Sequence, residues 1–345
     1  MKNKFLLGVF GFNSEAGTSL SNHPKKWNAK WETILKLTTH LDTNGYDFIL
    51  PLMRWVSYGG KSNARSLCFE TISFVSLLTS ITKKINLIST LHGLYIHPVY
   101  AARAISTIDI ASRGRVGINY VAGWNKNELE MFGIKNLEND ERYDYSTEWI
   151  KIFKKCIYEK KDFNHEGKFF NLNKIHCNPK SYQNKKIPFF SASFSPEGRN
   201  FAINYFDFLL TTFSNPEKLK FQIRKIRSEK KSFKIISPCS IFSKKTFYQA
   251  EKYYNEVTEK YIDRSAIKSF INSKKIKNEV ISFYQKKAEK KLAAGFGSYP
   301  IIGSPDDVID QIRVLKKNGL NGIALSFIDY YKDVQFFSKY IKNKI

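Results

Sequence analysis

Short apolar runs alternate along the chain with longer segments whose apolar positions recur every three or four residues, the patterns of buried strands and of helices with one buried face. Phe5 to Phe10 predicts the first strand. After a long polar loop, Trp31, Ile34, Leu35, Thr38 and Leu41 recur at helical spacing, and Gly45 suits the end of that helix. The order then repeats: YDFIL (46–50) is a strand, CFETISFVSLLTSI (68–81) a helix, INLIST (85–90) a strand and VYAARAISTIDIAS (99–112) a helix. Arg115 to Val121 predicts strand four, followed by a helix from Tyr143 to Tyr158, strand five at Ile187 to Ser191, a helix from Ser195 to Ile203 and strand six at Phe208 to Thr211. PEKLKFQIRKIRSEKK is helical, FKIISPCSIF is strand seven, and Gly322 to Phe327 is strand eight after a helix beginning at Pro305.

Alternating units of this kind imply parallel strands covered by helices, and eight of them point to an α/β chain closed as a (β/α)8 TIM barrel rather than an open sheet. The 345 residues are read as one domain. Lys244 to Gly297 is too long for an ordinary connection and mainly helical, an insertion at the barrel rim or a small separate unit between strand seven and the last helix.

Composition narrows the class. Hydrophobic residues make up 42% and aromatic residues 15%, which opposes wholesale disorder. No apolar run reaches the roughly 18 residues of a membrane span. The formal charge of +25 comes from lysines scattered over amphipathic segments, a solvated surface rather than a nucleic-acid reading helix. Cys68, Cys156, Cys177 and Cys239 form no CxxC pair, so neither a zinc site nor a disulfide framework is expected, and a reducing cytoplasm fits.

In a barrel of this type, ligand-binding groups gather at the C-terminal ends of the strands. Asn13, Met53, Arg54, His92, Asn119, Trp124, Ser191, Ser193 and Ser195 all fall there. Each has a plain structural reading: Asn13 as a turn residue, His92 as a satisfied core histidine, Arg54 as half of a salt bridge. Asn119 sits among apolar residues, where a carboxamide is costly without a hydrogen-bond partner. Glu128 lies in the polar segment after strand four, with Arg142 and Tyr143 just before the next helix. Ser195-Pro196-Glu197 and Gly303-Ser304-Pro305 are two helix starts, either of which suits a phosphate. GxSxG, HExxH, GxGxxG after the first strand and GxxxxGK[ST] are all missing. Their absence suggests that a bound cofactor carries the chemistry, and a flavin fits that role.

YDFILPLMRWVSYGG, HPVYAARAISTIDIASRGRVGINYVAGWNKNELEMFGI and DERYDYSTEW resemble the bacterial luciferase-like flavin-dependent monooxygenases, most closely the branch of pyrimidine and dimethylsulfone monooxygenases. The resemblance runs to about Thr212 and resumes around GSYPIIGSPDDVIDQI and GIALSFIDY, while Lys244 to Leu292 matches poorly. It implies reduced FMN delivered by a separate NAD(P)H-dependent flavin reductase, with dioxygen as cosubstrate and one oxygen atom entering a small organic substrate. Met53, Arg54, Asn119, Glu128, Arg142, Tyr143 and Ser195 are the implied cofactor contacts; His92, Asn119 and Trp124 are the expected catalytic group. Ala122 stands where the pyrimidine enzyme has threonine, and Ser193 where it has glycine, so the substrate is left at a sulfone, sulfonate, pyrimidine, amide or related carbonyl compound. A homodimer or homotetramer is implied, as is a mobile rim loop within Gly295 to Gly303. The alternatives are an oxidoreductase using the deazaflavin F420 and a non-catalytic flavin-binding protein.

Overall fold

The computed structural model describes residues 4–176, 178–182, 186–193, 195–213, 215–230, 232–273 and 285–345. Its framework alternates β1 (Leu6–Phe10), α1 (Trp31–Thr43), β2 (Phe48–Leu50), α2 (Thr71–Leu78), β3 (Asn86–His92), α3 (Pro98–Ala111) and β4 (Val116–Val121). A short α4 (Lys126–Met131) and a long α5 (Asn139–Tyr158) follow, then a hairpin of β5 (Phe163–Glu166) and β6 (Asn171–Ile175). The alternation resumes with β7 (Phe189–Ala192), α6 (Pro196–Tyr205), β8 (Phe208–Leu210), α7 (Pro216–Glu229) and β9 (Lys234–Ser243). The last part holds α8 (Phe247–Asn255), α9 (Arg264–Ser273), α10 (Gln285–Gly295), β10 (Tyr299–Gly303), α11 (Pro305–Lys317), β11 (Gly322–Ser326) and α12 (Tyr330–Tyr340).

Strands β1, β2, β3, β4, β7, β8, β9 and β11 pair in that order, all parallel, and β11 closes on β1. This is the expected eight-stranded barrel. Both faces of each strand are buried, because alternate residues point to two different cores. Leu6, Phe48, Leu50, Ile88, Phe190, Phe208, Leu210 and Ile236 fill the barrel, whereas Leu7, Val9, Ile49, Leu87, Ile118 and Leu209 pack outward under the helices. Gly8 is required at its position, since a Cβ there would lie 2.1 Å from the Phe48 ring. Phe190 and Phe208 stack with centroids 4.2 Å apart, which seals the middle of the barrel and leaves its C-terminal end for a ligand.

Two features depart from the apolar pattern. The hairpin of β5 and β6 has mostly exposed or half-buried side chains, so it shows little apolar signal. Its loop is held by Glu148 of α5, whose carboxylate accepts from the backbone N–H groups of Phe169 and Phe170 and pairs with His165 at 2.8 Å. Tyr299–Gly303 lies within the expected rim loop but is a strand, pairing in parallel with Cys239–Ser243 of β9. Helix α2 starts later than Cys68 because the Glu70 carboxylate caps it, accepting from the N–H groups of Ile72 and Ser73.

Helices α9 and α10 pack on the loops that follow β1 and β2. Ala266, Ile267, Phe270 and Ala293 form one cluster with Ala16, Leu20, Tyr58 and Ala64. Ser19 Oγ donates to the Ala293 carbonyl at 2.6 Å, tying the two layers together. Helices α9 and α10 therefore cover one side of the barrel mouth. Among the described residues, no helix is long and apolar enough to cross a membrane and no cluster of His, Cys, Asp and Glu is disposed to hold a metal.

Candidate active site

A cavity of about 570 Å³ opens at the C-terminal ends of the barrel strands, a size ordinary for a cofactor or small-molecule site. Period-two alternation builds its floor. Ile88, Thr90 and His92 point inward from β3, and the register sets Thr90 beside Asn119 of β4. Thr90 Oγ1 donates to the Pro51 carbonyl at 2.6 Å, so its lone pairs are left to accept from Asn119 Nδ2 at 3.2 Å. That bond orients the carboxamide. Asn119 Oδ1 is buried without a partner among the described residues, and Asn119 lines the cavity. An acceptor in that condition calls for an N–H from a ligand.

Met53 and Arg54 follow β2 on the same wall. Arg54 Nη1 lies 3.5 Å from Glu128 Oε2, and the guanidinium carbon sits 4.7 Å from the Trp124 ring centroid. Glu128 does not line the cavity. It is fully buried on α4 behind Arg54, and it also accepts from the Trp55 N–H at 3.0 Å and the Tyr95 hydroxyl at 3.4 Å. Burial opposes the charge on Arg54, but nearby groups including Glu128 outweigh it and raise its pKa. Arg54 thus pairs with Glu128 and also lines the cavity, and Glu128 holds it in place.

His92 is buried at the end of β3 and lines the cavity. Burial, reinforced by the charge of Arg54, holds its pKa well below the ordinary 6.5, so the ring is neutral near pH 7. Its Nδ1 has no partner among the described residues, which removes the satisfied-histidine reading.

Across the cavity, Ser195 is the N-cap of α6, its hydroxyl accepting from the Gly198 N–H at 3.1 Å. The Tyr143 hydroxyl stands 3.5 Å from Ser195 Oγ, and Arg142 lines the same end. Gly198 permits this approach, because a Cβ there would come within 2.4 Å of the Tyr143 oxygen. The other helix start is closed to an anion: Asp307 occupies the N-terminus of α11, taking hydrogen bonds from the Ser304 N–H at 2.9 Å and hydroxyl at 2.6 Å. Ser304 does not line the cavity.

Of the remaining candidates, Trp124 and Ser193 line the cavity, and Ser191 Oγ lies 3.1 Å from Ser193 Oγ. Asn13 does not. Its carboxamide clips two loops, accepting from the Leu52 N–H and donating to the Leu52 and Phe69 carbonyls. Thr90 escaped the sequence reading, although its place two residues before His92 in one strand puts both side chains on one face. Arg65 and Phe296 also line the cavity and carry no periodic signal, since both come from irregular segments.

The sequence profile described as luciferase-like monooxygenase matches residues 7–322. The chain belongs to that family. This luciferase-like monooxygenase is similar to the FMNH2-dependent dimethylsulfone monooxygenase of Pseudomonas putida, at 26% identity over 319 residues covering 89% of this chain and 85% of that protein. It is also similar to the pyrimidine monooxygenase RutA of Agrobacterium fabrum, at 24% identity over 353 residues covering 97% and 95% of the two chains. Among solved structures, DmoA from Hyphomicrobium sulfonivorans superposes with a TM-score of 0.87 at 17% identity, over 98% of this chain and 87% of that one. That last likeness is one of fold. In this luciferase-like monooxygenase, Ala122 and Ser193 both line the cavity.

Proposed function

We propose that the cavity is where this flavin-dependent monooxygenase holds reduced FMN, while dioxygen and a small organic substrate react there. The observation that carries this reading is the pairing of Thr90 with Asn119, which leaves a buried acceptor aimed at the ligand. An isoalloxazine edge carries an N–H between two carbonyls and suits that acceptor. Arg142, Tyr143 and the capped start of α6 at Ser195 supply hydroxyl, guanidinium and backbone donors for the phosphate. Met53, Arg54 and Trp124 wall the space between the strand ends and the helical insertion.

The bound reduced flavin supplies the electrons that activate dioxygen. The protein binds, orients and excludes water. Glu128 fixes the guanidinium of Arg54 at the wall. Neutral His92 presents an imidazole without adding a positive charge, and an imidazole nitrogen is able to accept or donate one proton beside the substrate. The reduced cofactor comes from a separate NAD(P)H-dependent reductase, and the catalytic unit is a homodimer or homotetramer. A reducing cytoplasm suits the free thiols of Cys68 and Cys239. The substrate is a small organic compound of the sulfone, sulfonate, pyrimidine, amide or related carbonyl classes.

Anaerobic titration with reduced FMN, followed by mixing with oxygenated buffer, tests the reading. Saturable binding and an enzyme-dependent course of flavin oxidation are expected. Absence of binding, with hydride transfer from reduced F420 instead, transfers the site to the deazaflavin class.

A further inference from the structure

Three arginines line the cavity, Arg142 at the proposed phosphate end and Arg54 and Arg65 away from it, and the electrostatic situations of the last two differ. Arg54 has Glu128 within 3.5 Å. Arg65 is 2% exposed, and among the described residues no carboxylate pairs with it. Its Nη2 donates to the Thr18 carbonyl at 2.9 Å, while Nη1 is buried with no partner among the described residues. The guanidinium is held between two rings, its carbon 5.0 Å from the Tyr58 centroid and 4.6 Å from that of Phe296. An unpaired buried cation costs several kcal/mol, so a fold that keeps one has left its counter-charge to be supplied. Burial pushes the Arg65 pKa down to about 10, which still leaves it charged at neutral pH.

The backbone adds a second sign. Arg65 has a φ of 68°, in the left-handed region that side-chain-bearing residues rarely occupy. Such strain persists only where the surroundings enforce it, and it is concentrated at ligand sites. Here the Arg65 N–H donates to the Glu15 carbonyl at 3.2 Å, and the side chain turns into the cavity.

The position separates this cation from the proposed phosphate site. Thr18, which holds Arg65, follows β1, and Ser195 follows β7. The barrel order β1-β2-β3-β4-β7-β8-β9-β11 places β7 four steps from β1 in either direction, diametrically across the mouth.

We propose that Arg65 is the substrate-anchoring residue and that the substrate is a small organic anion, a carboxylate or sulfonate whose oxygens accept from Arg65 Nη1. This rests on the reading of the cavity as the chamber shared by flavin and substrate. With Arg54 neutralised by Glu128, Lys126 paired with Glu130 and Arg142 at the proposed phosphate end, the charge of Arg65 is left to match a monoanion. The apolar part of the substrate lies against Phe296 and Trp124, which face the same space.

The test is calorimetric titration of the full-length protein with butanesulfonate and butyrate against their uncharged counterparts, butyl methyl sulfone and butyramide. Titration with FMN is run in parallel on the wild type, Arg65→Gln and Arg65→Lys. The charged probe of at least one pair is expected to bind about ten-fold or more tighter than its counterpart. That preference disappears in Arg65→Gln and partly returns in Arg65→Lys, while FMN affinity stays within about two-fold in all three proteins. Which pair shows the larger preference assigns carboxylate or sulfonate. Equal affinity for charged and uncharged probes in the wild type overturns the proposal without any variant. A preference that survives Arg65→Gln, or a variant that loses FMN affinity but keeps the preference, also overturns it. An anion preference in a protein that binds no FMN supports the anion site and counts against the flavin reading alone.

Discussion

Asn119 Nδ2 donates to Thr90 Oγ1 at 3.2 Å, and Thr90 gives its own proton to the Pro51 carbonyl at 2.6 Å. The direction of each bond is therefore set by the next, ending at a backbone oxygen that can only accept. Asn119→Ala is expected to weaken FMN binding by about ten-fold and to change unfolding free energy by no more than about 1 kcal/mol. Matched flavin titration and chemical denaturation measure both. An unchanged flavin dissociation constant removes Asn119 from the site.

Glu128 sits fully buried behind Arg54 and also satisfies the Trp55 N–H and the Tyr95 hydroxyl. Glu128→Ala leaves a buried guanidinium uncompensated and is expected to cost about 3–5 kcal/mol. Glu128→Gln, which can still accept from the Trp55 N–H, is expected to cost less. Urea denaturation checks the order, and a loss under about 1 kcal/mol for the alanine variant contradicts the bridging role.

Much of this was legible from sequence, and what was not has identifiable causes. Barrel strands buried on both faces announce themselves as apolar runs, so the eight strands and their order follow from the pattern alone. The hairpin at Phe163–Ile175 does not, because its two strands leave many side chains exposed. Residues at strand ends, such as Met53, Arg54, His92 and Asn119, were found because a barrel puts them at one rim. Sequence left two helix starts equivalent for an anion. The capping carboxylate of Asp307 at Ser304 is the feature that separates them. Arg65 was invisible for a different reason: its burial depends on Phe296, Tyr58 and Thr18 meeting from three distant segments.

The start of α6 is expected to read the phosphate. Ser195→Ala removes a cap worth about 1 kcal/mol, and Gly198→Ala pushes a methyl toward the Tyr143 hydroxyl. Both variants are expected to weaken FMN by about ten-fold while leaving riboflavin, which lacks the phosphate, nearly unaffected. Paired fluorescence titrations distinguish this from general damage, since an equal loss for both flavins places the phosphate elsewhere.

His92 has a folded-state pKa well below the 6.5 it regains on unfolding. The unfolded chain consequently binds the extra proton first as pH falls, so stability from keeping this ring neutral is fully present above 6.5 and is lost below it. His23, His40 and His97 are lowered as well, each chiefly by burial, and contribute to the same acid-side decline. His92→Gln is expected to make the fall in melting temperature between about pH 7 and about pH 5 shallower without removing it. An unchanged profile contradicts a buried neutral imidazole.

Enzymatically reduced FMN with isotopically labelled dioxygen tests whether the cavity holds reduced FMN for oxygen insertion. Product analysis by mass spectrometry covers panels of sulfonates, carboxylates, sulfones, pyrimidines and amides, with catalase present to remove released peroxide. One labelled oxygen atom is expected in a product that forms only with protein, reduced FMN and substrate together. A flavin oxidation course identical with and without the protein, and no labelled product across the panels, would contradict that role of the cavity.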